Sequence, residues 1–367
     1  MIRFLHTKPP RALLLCAVFP ALFAVVSTAR CQKKEQPGPP LNTIPRGTAP
    51  AAASAPNAPA ATSAPNAPAP QSTTTAGPAD NGQSAAGAYT IRTVVNEVNL
   101  IFTVTDKHGH FVRNLQESDF ALLDNHLPPA EVYSFTQQTN LPLRVGLLID
   151  TSSSIRSRFD FEQNAATEFL LSVLRPSIDR AFVMGFDVSP DLVQTFTNNG
   201  DLLSTGIHRL SPGGGTALYD AVYTACHDQM LPILPPPLVR KVIILLSDGD
   251  DNQSHATLDD AVKMCQRADT TVYAISTNDS PSRDRGDDVL KAMATVTGGR
   301  AFYPPRMEQV ANSFQTIQEE LRSQYSLVYK PADFKADGAF RPVYLTTYDR
   351  GYKVWVQKGY FAPSLPQ

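Results

Sequence analysis

Continuous apolar segments alternate with helical patterns between residues 143 and 321, and this alternation constrains the fold more than any other feature. Residues 143–150 (LRVGLLID) and 242–247 (VIILLS) are apolar at nearly every position. Strands of this kind are buried on both faces, as in a parallel sheet that helices cover on both sides. The pattern therefore predicts an α/β domain over residues 140–322, with a doubly wound, mostly parallel sheet.

Both flanks of this region show the two-residue period of half-buried strands. Apolar and polar side chains alternate from Val98 to Val104, and the later segments YSLVYK, PVYLTTY and KVWVQKGYF indicate three more strands. Neither flank has enough strands to be stable alone. We therefore expect residues 89–139 and 323–363 to pair as one β-sandwich into which the α/β domain is inserted.

The N-terminal 88 residues predict export and a tether instead of a folded domain. Basic residues and then an apolar run of about fifteen residues are typical of a signal peptide, and the run is too short for a spanning helix. We assign the signal peptide to residues 1–29 and a disordered tether to residues 30–88, whose Pro, Ala and Ser cannot bury enough apolar surface to fold. We expect a periplasmic, cell-surface or secreted protein without a transmembrane helix in the mature chain. Lipid attachment at Cys31 is the less favoured alternative.

The charge balance argues against nucleic acid as a partner. The chain has 32 Lys and Arg residues, 34 Asp and Glu residues and a net charge of -2. Without a basic cluster, it lacks the electrostatic footprint that polyanions require. The sequence leaves the oligomeric state open.

Two of the four cysteines, Cys226 and Cys265, fall in the predicted α/β domain. Each lies on the apolar face of a predicted helix, as expected of a buried thiol that packs as a small hydrophobic residue. Because export exposes a protein to oxidising conditions, a disulfide between the two remains an open alternative.

Hydroxyl and carboxyl side chains follow the ends of two predicted strands. Asp150, Ser152 and Ser154 occupy alternate positions after the first strand, and Asp248 follows the most apolar one. A run of three glycines frees the backbone to bring Thr216 to the same edge, where open parallel sheets bind ligands. Two carboxylates and three hydroxyls are hard oxygen ligands that suit Mg²⁺, with Mn²⁺ or Ca²⁺ as alternatives.

These motifs resemble the metal-ion-dependent adhesion site of von Willebrand factor type A domains. The resemblance rests on DTSSS at 150–154, on GGGTALYDAV around Thr216 and on LLSDGDDN around Asp248, and it covers residues 140–322. It implies a Rossmann-like fold in which the hydroxyls contact a divalent cation, while the aspartates bind it directly or through water. It also implies a non-enzymatic adhesion module that recruits an Asp or Glu side chain of a protein partner.

The flanks resemble a narrower group, the exported VWFA-related Acidobacterial domain proteins. The segments VTDKHGHFVRNLQESDFALLDN, LRSQYSLVYKP and KVWVQKGYFAP carry this second resemblance. The group implies export, but no well-defined activity.

Several alternatives remain open at this point. Asp150 and Ser152 could cap the following helix, as serine and aspartate often do. The chain could be an accessory subunit that regulates an envelope complex or an ATPase. A phosphoryl-transfer enzyme is less favoured, because such enzymes place a second acid two positions after the first, where this chain has Ser152. Residues 285–287 spell RGD, a tripeptide that also occurs often by chance.

Overall fold

The structure is a computed structural model that describes residues 96–138, 140–156, 158–233, 239–278, 284–306 and 309–364. The strands are, in chain order, β1 (Val98–Asp106), β2 (Phe120–Asp124), β3 (Glu131–Gln138), β4 (Leu143–Asp150), β5 (Arg180–Phe186), β6 (Pro190–Thr197), β7 (Arg240–Ser247), β8 (Thr270–Ser276), β9 (Ala301–Phe302), β10 (Gln324–Lys330), β11 (Phe340–Thr347), β12 (Tyr352–Trp355) and β13 (Gly359–Phe361). The α-helices are α1 (Phe159–Val173), α2 (Gly200–Arg209), α3 (Leu218–Thr224), α4 (Leu258–Arg267), α5 (Arg285–Thr297) and α6 (Val310–Leu321).

The central sheet has six strands in the order β6-β5-β4-β7-β8-β9. All neighbouring pairs are parallel except β5 and β6, which are antiparallel. Leu147 and Leu148 show why the strands are apolar at every position: both are fully buried, but they belong to cores on opposite faces of the sheet. Helices α1, α2 and α6 cover one face, and α3, α4 and α5 cover the other. The predicted doubly wound sheet is therefore confirmed.

Strands from both flanks pair into a β-sandwich, as predicted. One sheet has the order β12-β1-β10-β3 and the other β13-β11-β2, and every pair is antiparallel. A third core fills the space between them, with Leu100 and Phe102 from the first flank packed with Tyr325, Leu327 and Val343 from the second. The two flanks thus depend on each other for burial.

A buried polar cluster joins the α/β domain to the sandwich. The Glu320 carboxylate of α6 accepts hydrogen bonds from the Thr103 hydroxyl of β1 at 2.8 Å and from the Tyr273 hydroxyl of β8 at 3.1 Å. Arg300 lies 3.4 Å from its second oxygen. Burial raises the pKa of Glu320, whereas Arg300 and the two hydroxyls act in the opposite direction.

Cys226 and Cys265 form a disulfide, the alternative that the sequence left open. Cys226 lies in a π-helical segment, Ala225–Met230, that continues α3, and Cys265 lies in α4. Both residues are fully buried. The bridge therefore ties together two helices on one face of the sheet.

The predicted signal peptide (1–29) and tether (30–88) lie outside the described residues. Among the residues that are described, no helix is both long and apolar enough to cross a membrane.

Candidate metal centre

Asp150, the last residue of β4, is fully buried, and its carboxylate is held from two sides. Its Oδ1 accepts a hydrogen bond of 2.9 Å from the Ser152 backbone N–H, and its Oδ2 accepts one of 2.7 Å from the Ser247 hydroxyl. Ser247 ends the neighbouring strand β7, and its own oxygen accepts a bond from the Gly249 N–H at 3.0 Å. Asp150 thus joins the carboxyl ends of the two central strands and is fixed in orientation.

Three more of the predicted site residues form a hydrogen-bonded row beside Asp150. The hydroxyl oxygens of Ser152 and Ser154 lie 2.9 Å apart, and Ser154 donates to Asp248 Oδ2 at 3.0 Å. Asp248 follows β7 directly, and its Oδ1 accepts a bond from the Asp250 N–H at 3.2 Å. Four of the five predicted side chains are therefore brought together at one edge of the sheet.

Thr216, the fifth predicted residue, reaches this edge through its backbone. The glycine loop before it contacts the loop that follows β4: the Gly213 N–H donates to the Thr151 carbonyl at 2.7 Å, and the Ser153 N–H donates to the Gly214 carbonyl at 3.4 Å. On its other side, the Thr216 N–H donates to the Asn252 side chain at 3.0 Å, and its carbonyl accepts from the Asn252 N–H at 3.0 Å. Within the described residues, no hydrogen bond joins the Thr216 hydroxyl to the other four predicted side chains.

The start of α5 holds the turn that follows Asp248. Gly249 has a φ of +85°, and a Cβ there would lie 2.2 Å from the Gly286 carbonyl oxygen. Gly286 is equally constrained, because its own Cβ would lie 2.2 Å from the Asp248 carbonyl oxygen. The Asp287 carboxylate is buried and accepts a bond of 2.6 Å from Ser276. The RGD tripeptide is therefore the first turn of a packed helix, which argues against a role as an exposed adhesion sequence.

Three carboxyl groups influence one another at this edge of the sheet. Burial raises the pKa of Asp150 to about 6, and the charge of Asp248 acts in the same direction. A third carboxyl, Glu162 of α1, is fully buried, and neither of its oxygens has a hydrogen-bond partner. Arg158 Nε lies 3.6 Å from Glu162 Oε1, which is within ion-pair range but too long for a hydrogen bond. The pKa of Glu162 is raised to about 8, mainly because the group is buried; Arg158 lowers the pKa, and the charges of Asp150 and Asp248 raise it.

Glu162 and the supporting residue Ser247 are not among the residues predicted from the sequence. Glu162 follows the buried Phe159 by three positions and precedes the buried Ala166 by four. This helical spacing places a carboxyl on the buried face of α1, and it is the signal that could have identified the residue. No comparable signal marks Ser247, because a serine at the end of an apolar strand is common.

The five predicted residues are a donor set that fits a hard divalent cation. Neither Asp150 nor Asp248 forms an ion pair with a basic side chain in the described parts of the chain. Buried negative charge without a counter-ion is costly, and a divalent cation would offset it. Over the same residues, no three His, Cys, Asp or Glu side chains form a metal-binding group, so such a site would depend on its hydroxyls.

Comparison with known proteins identifies the domain that contains these residues. Residues 145–250 match the family described as the von Willebrand factor type A domain. The chain carries a von Willebrand factor type A domain. All five predicted residues lie within the matched range. No curated protein matches the chain.

Several solved structures are similar to this type A domain protein at low identity. A von Willebrand factor type A protein from Catenulispora acidiphila is 14% identical, with 68% of this chain and 75% of that chain covered and a TM-score of 0.44. The vWF domain of the type V pili tip protein Mfa5 from Porphyromonas gingivalis is 16% identical, with coverages of 49% and 94% and a TM-score of 0.40. The conserved hypothetical protein BatB from Bacteroides thetaiotaomicron is 15% identical, with coverages of 49% and 100% and a TM-score of 0.39.

Proposed function

We propose that the chain is an exported protein-binding module whose type A domain holds a divalent cation. The cation is Mg²⁺ by preference, with Mn²⁺ or Ca²⁺ as alternatives, and its ligands are Asp150, Ser152, Ser154, Thr216 and Asp248. The observation that carries this proposal is the hydrogen-bonded row of Ser152, Ser154 and Asp248 beside a buried carboxylate that has no basic partner among the described residues. Oxygen donors of this kind, preorganised at the end of a sheet, are what a hard cation requires.

The composition of this donor set favours recruitment of an acidic partner. Asp150 and Asp248 bring two negative charges, whereas Ser152, Ser154 and Thr216 bring none. A divalent cation on these ligands is not over-neutralised, so it retains affinity for one more carboxylate. An Asp or Glu side chain of a protein partner would supply it, and we therefore propose adhesion or protein binding instead of catalysis.

The disulfide supports the exported part of this proposal. Disulfides such as Cys226–Cys265 persist mainly in oxidising compartments, which include the periplasm and the extracellular space. This agrees with the predicted signal peptide at residues 1–29. The direct test is the N-terminal sequence of the protein recovered from the envelope or medium of the producing cells, and a chain that remains in the cytosol with its leader intact would contradict export.

Isothermal titration calorimetry of the full chain with Mg²⁺, Mn²⁺ and Ca²⁺ tests the cation site. We expect saturable binding at one site that Asp248→Ala weakens at least tenfold. Asp250→Ala is the matched control, because it removes an exposed carboxylate two positions away that is outside the donor set. Equal affinities in the wild-type protein and Asp248→Ala, or no saturable binding in the wild-type protein, would contradict the proposal.

A further inference from the structure

A groove of about 910 Å³ lies where helices α4 and α5 meet strands β11 and β13. This volume is within the range of small-molecule sites, which is roughly 300–1,000 Å³. The apolar part of its lining consists of Leu258, Val262, Ala292, Val296, Phe340 and Phe361. The type A domain and the sandwich therefore share one continuous hydrocarbon surface that faces solvent.

Two aromatic rings form the sandwich side of this groove. Phe340 is 38% exposed, and its ring centroid lies 5.2 Å from that of Phe361. The Arg267 guanidinium carbon lies 4.0 Å from the Phe361 centroid. Apolar surface left in water is unfavourable, and a bound hydrocarbon chain would remove it from solvent.

One buried polar group in the lining has no partner. Gln266 is only 6% exposed, and its side-chain Nε2 has no hydrogen-bond acceptor among the described residues. Buried donors are almost always satisfied in folded proteins, and each exception calls for an explanation. A ligand with an acceptor oxygen would supply the missing bond.

A basic side chain supplies positive charge at the same groove. Lys358 lines it, is exposed and forms no ion pair within the described part of the chain. Burial lowers the pKa of Lys353, and the positive charges of Arg300, Lys291 and Lys358 lower it further. Arg300, Lys291 and Lys358 therefore lie within electrostatic range of Lys353, and Lys358 brings this positive charge to the groove. Such a cluster favours an anionic ligand.

We propose that the groove binds one long-chain fatty acid, with its hydrocarbon chain on the apolar floor and its carboxylate near Gln266 and Lys358. The acid in the lining, Asp259, forms an ion pair with Lys263 and so does not oppose an anion. The apolar floor consists of side chains from two helices and two phenylalanines, and such a surface suits a hydrocarbon chain. The groove lining contains none of the residues of the proposed cation site.

The test titrates palmitate into the full chain by calorimetry, with hexadecanol as the matched uncharged probe and both delivered from cyclodextrin. We expect palmitate to saturate one site. Ala292→Phe, which fills the groove, should lower the affinity for palmitate at least tenfold. Gln266→Leu removes the amide at similar volume. It should lower the affinity for palmitate about tenfold, because hydrogen bonds to charged groups are stronger than those between neutral groups. Lys358→Glu should lower the affinity for palmitate about fivefold, as expected when an exposed ion pair is lost. The control Lys107→Glu, at an exposed lysine outside the groove, should not change it.

Three results would overturn the proposal. The first is no saturable palmitate binding, and the second is an unchanged affinity for palmitate in Ala292→Phe. The third is that Gln266→Leu and Lys358→Glu lower the affinity for hexadecanol as much as they lower the affinity for palmitate. Melting temperatures and circular dichroism check that each variant folds. If Ala292→Phe does not fold, Lys358→Glu still decides the charge dependence, because its side chain is exposed. Palmitate should bind Asp248→Ala in EDTA as it binds the wild-type protein, which separates this groove from the cation site.

Discussion

Replacing Glu162 with Gln should remove a pH-dependent part of the free energy of unfolding. Burial raises the pKa of this carboxyl from 4.5 to about 8, so the folded protein keeps a proton that the unfolded chain has lost. The stability that results is fully present below about pH 4.5 and is lost as the pH rises through about 8. The whole shift corresponds to about 5 kcal/mol, and the part lost between pH 6 and pH 8 to about 2 kcal/mol. Above pH 6 the contribution of Asp150, whose pKa is raised to about 6, has largely been lost already.

Urea unfolding of the full chain at pH 6, 7 and 8 in EDTA measures this effect. From pH 6 to pH 8, the free energy of unfolding of the wild-type protein should fall by about 2 kcal/mol more than that of Glu162→Gln, by the same linkage argument. Glu168→Gln, an exposed carboxyl on the same helix, is the matched control and should follow the wild-type protein. Histidine titration is common to all three proteins and cancels in the comparison. Parallel curves for the wild-type protein and Glu162→Gln would refute the assignment of a buried, protonated carboxyl.

Three other variants test the supporting structure. Replacing Cys226 and Cys265 with serine should lower the free energy of urea unfolding by about 2–4 kcal/mol, and a reductant that leaves the wild-type midpoint unchanged would argue against the bridge. Gly249→Ala should destabilise the protein by at least about 1 kcal/mol, because the new Cβ would collide with Gly286. It should also lower the affinity for Mg²⁺ measured by calorimetry. Unchanged stability and affinity would count against the packed turn. Glu320→Ala should cost about 3 kcal/mol, because three donors lose their acceptor, and a thermal midpoint equal to that of the wild-type protein would contradict the buried cluster.

The fold could be predicted because its periodicities are strong. Leu147 and Leu148 are adjacent in sequence and both buried, as expected of a strand that is covered on both faces. In the flanks, alternate residues of β1 such as Leu100 and Phe102 enter one core, as the two-residue period requires. Pairing of the flanks followed from the small number of strands in each, and β1 does pair with β10.

Only part of the candidate site could be predicted from the sequence. The ends of parallel strands meet at one edge of a sheet, so the proximity of Asp150 and Asp248 could be expected, whereas cation binding stays a prediction. The disulfide could not be derived, because no periodicity shows that the π-helical end of α3 lies beside α4. The exposure of Phe340 and the isolation of the Gln266 amide likewise depend on tertiary contacts between segments that are far apart in sequence.

Helix α5 connects the predicted cation site to the sandwich. At its start, Gly286 packs against the backbone of Asp248 and Gly249 with no space for a side chain. At its end, the Val296 carbonyl accepts a hydrogen bond of 3.0 Å from the Lys358 N–H, between β12 and β13. A helix is stiff over this length, so the turn that carries Asp248 and the segment that carries Lys358 hold each other in place. The flanking sandwich therefore belongs to the framework that positions Asp248, which gives a physical reason for building the type A domain into it.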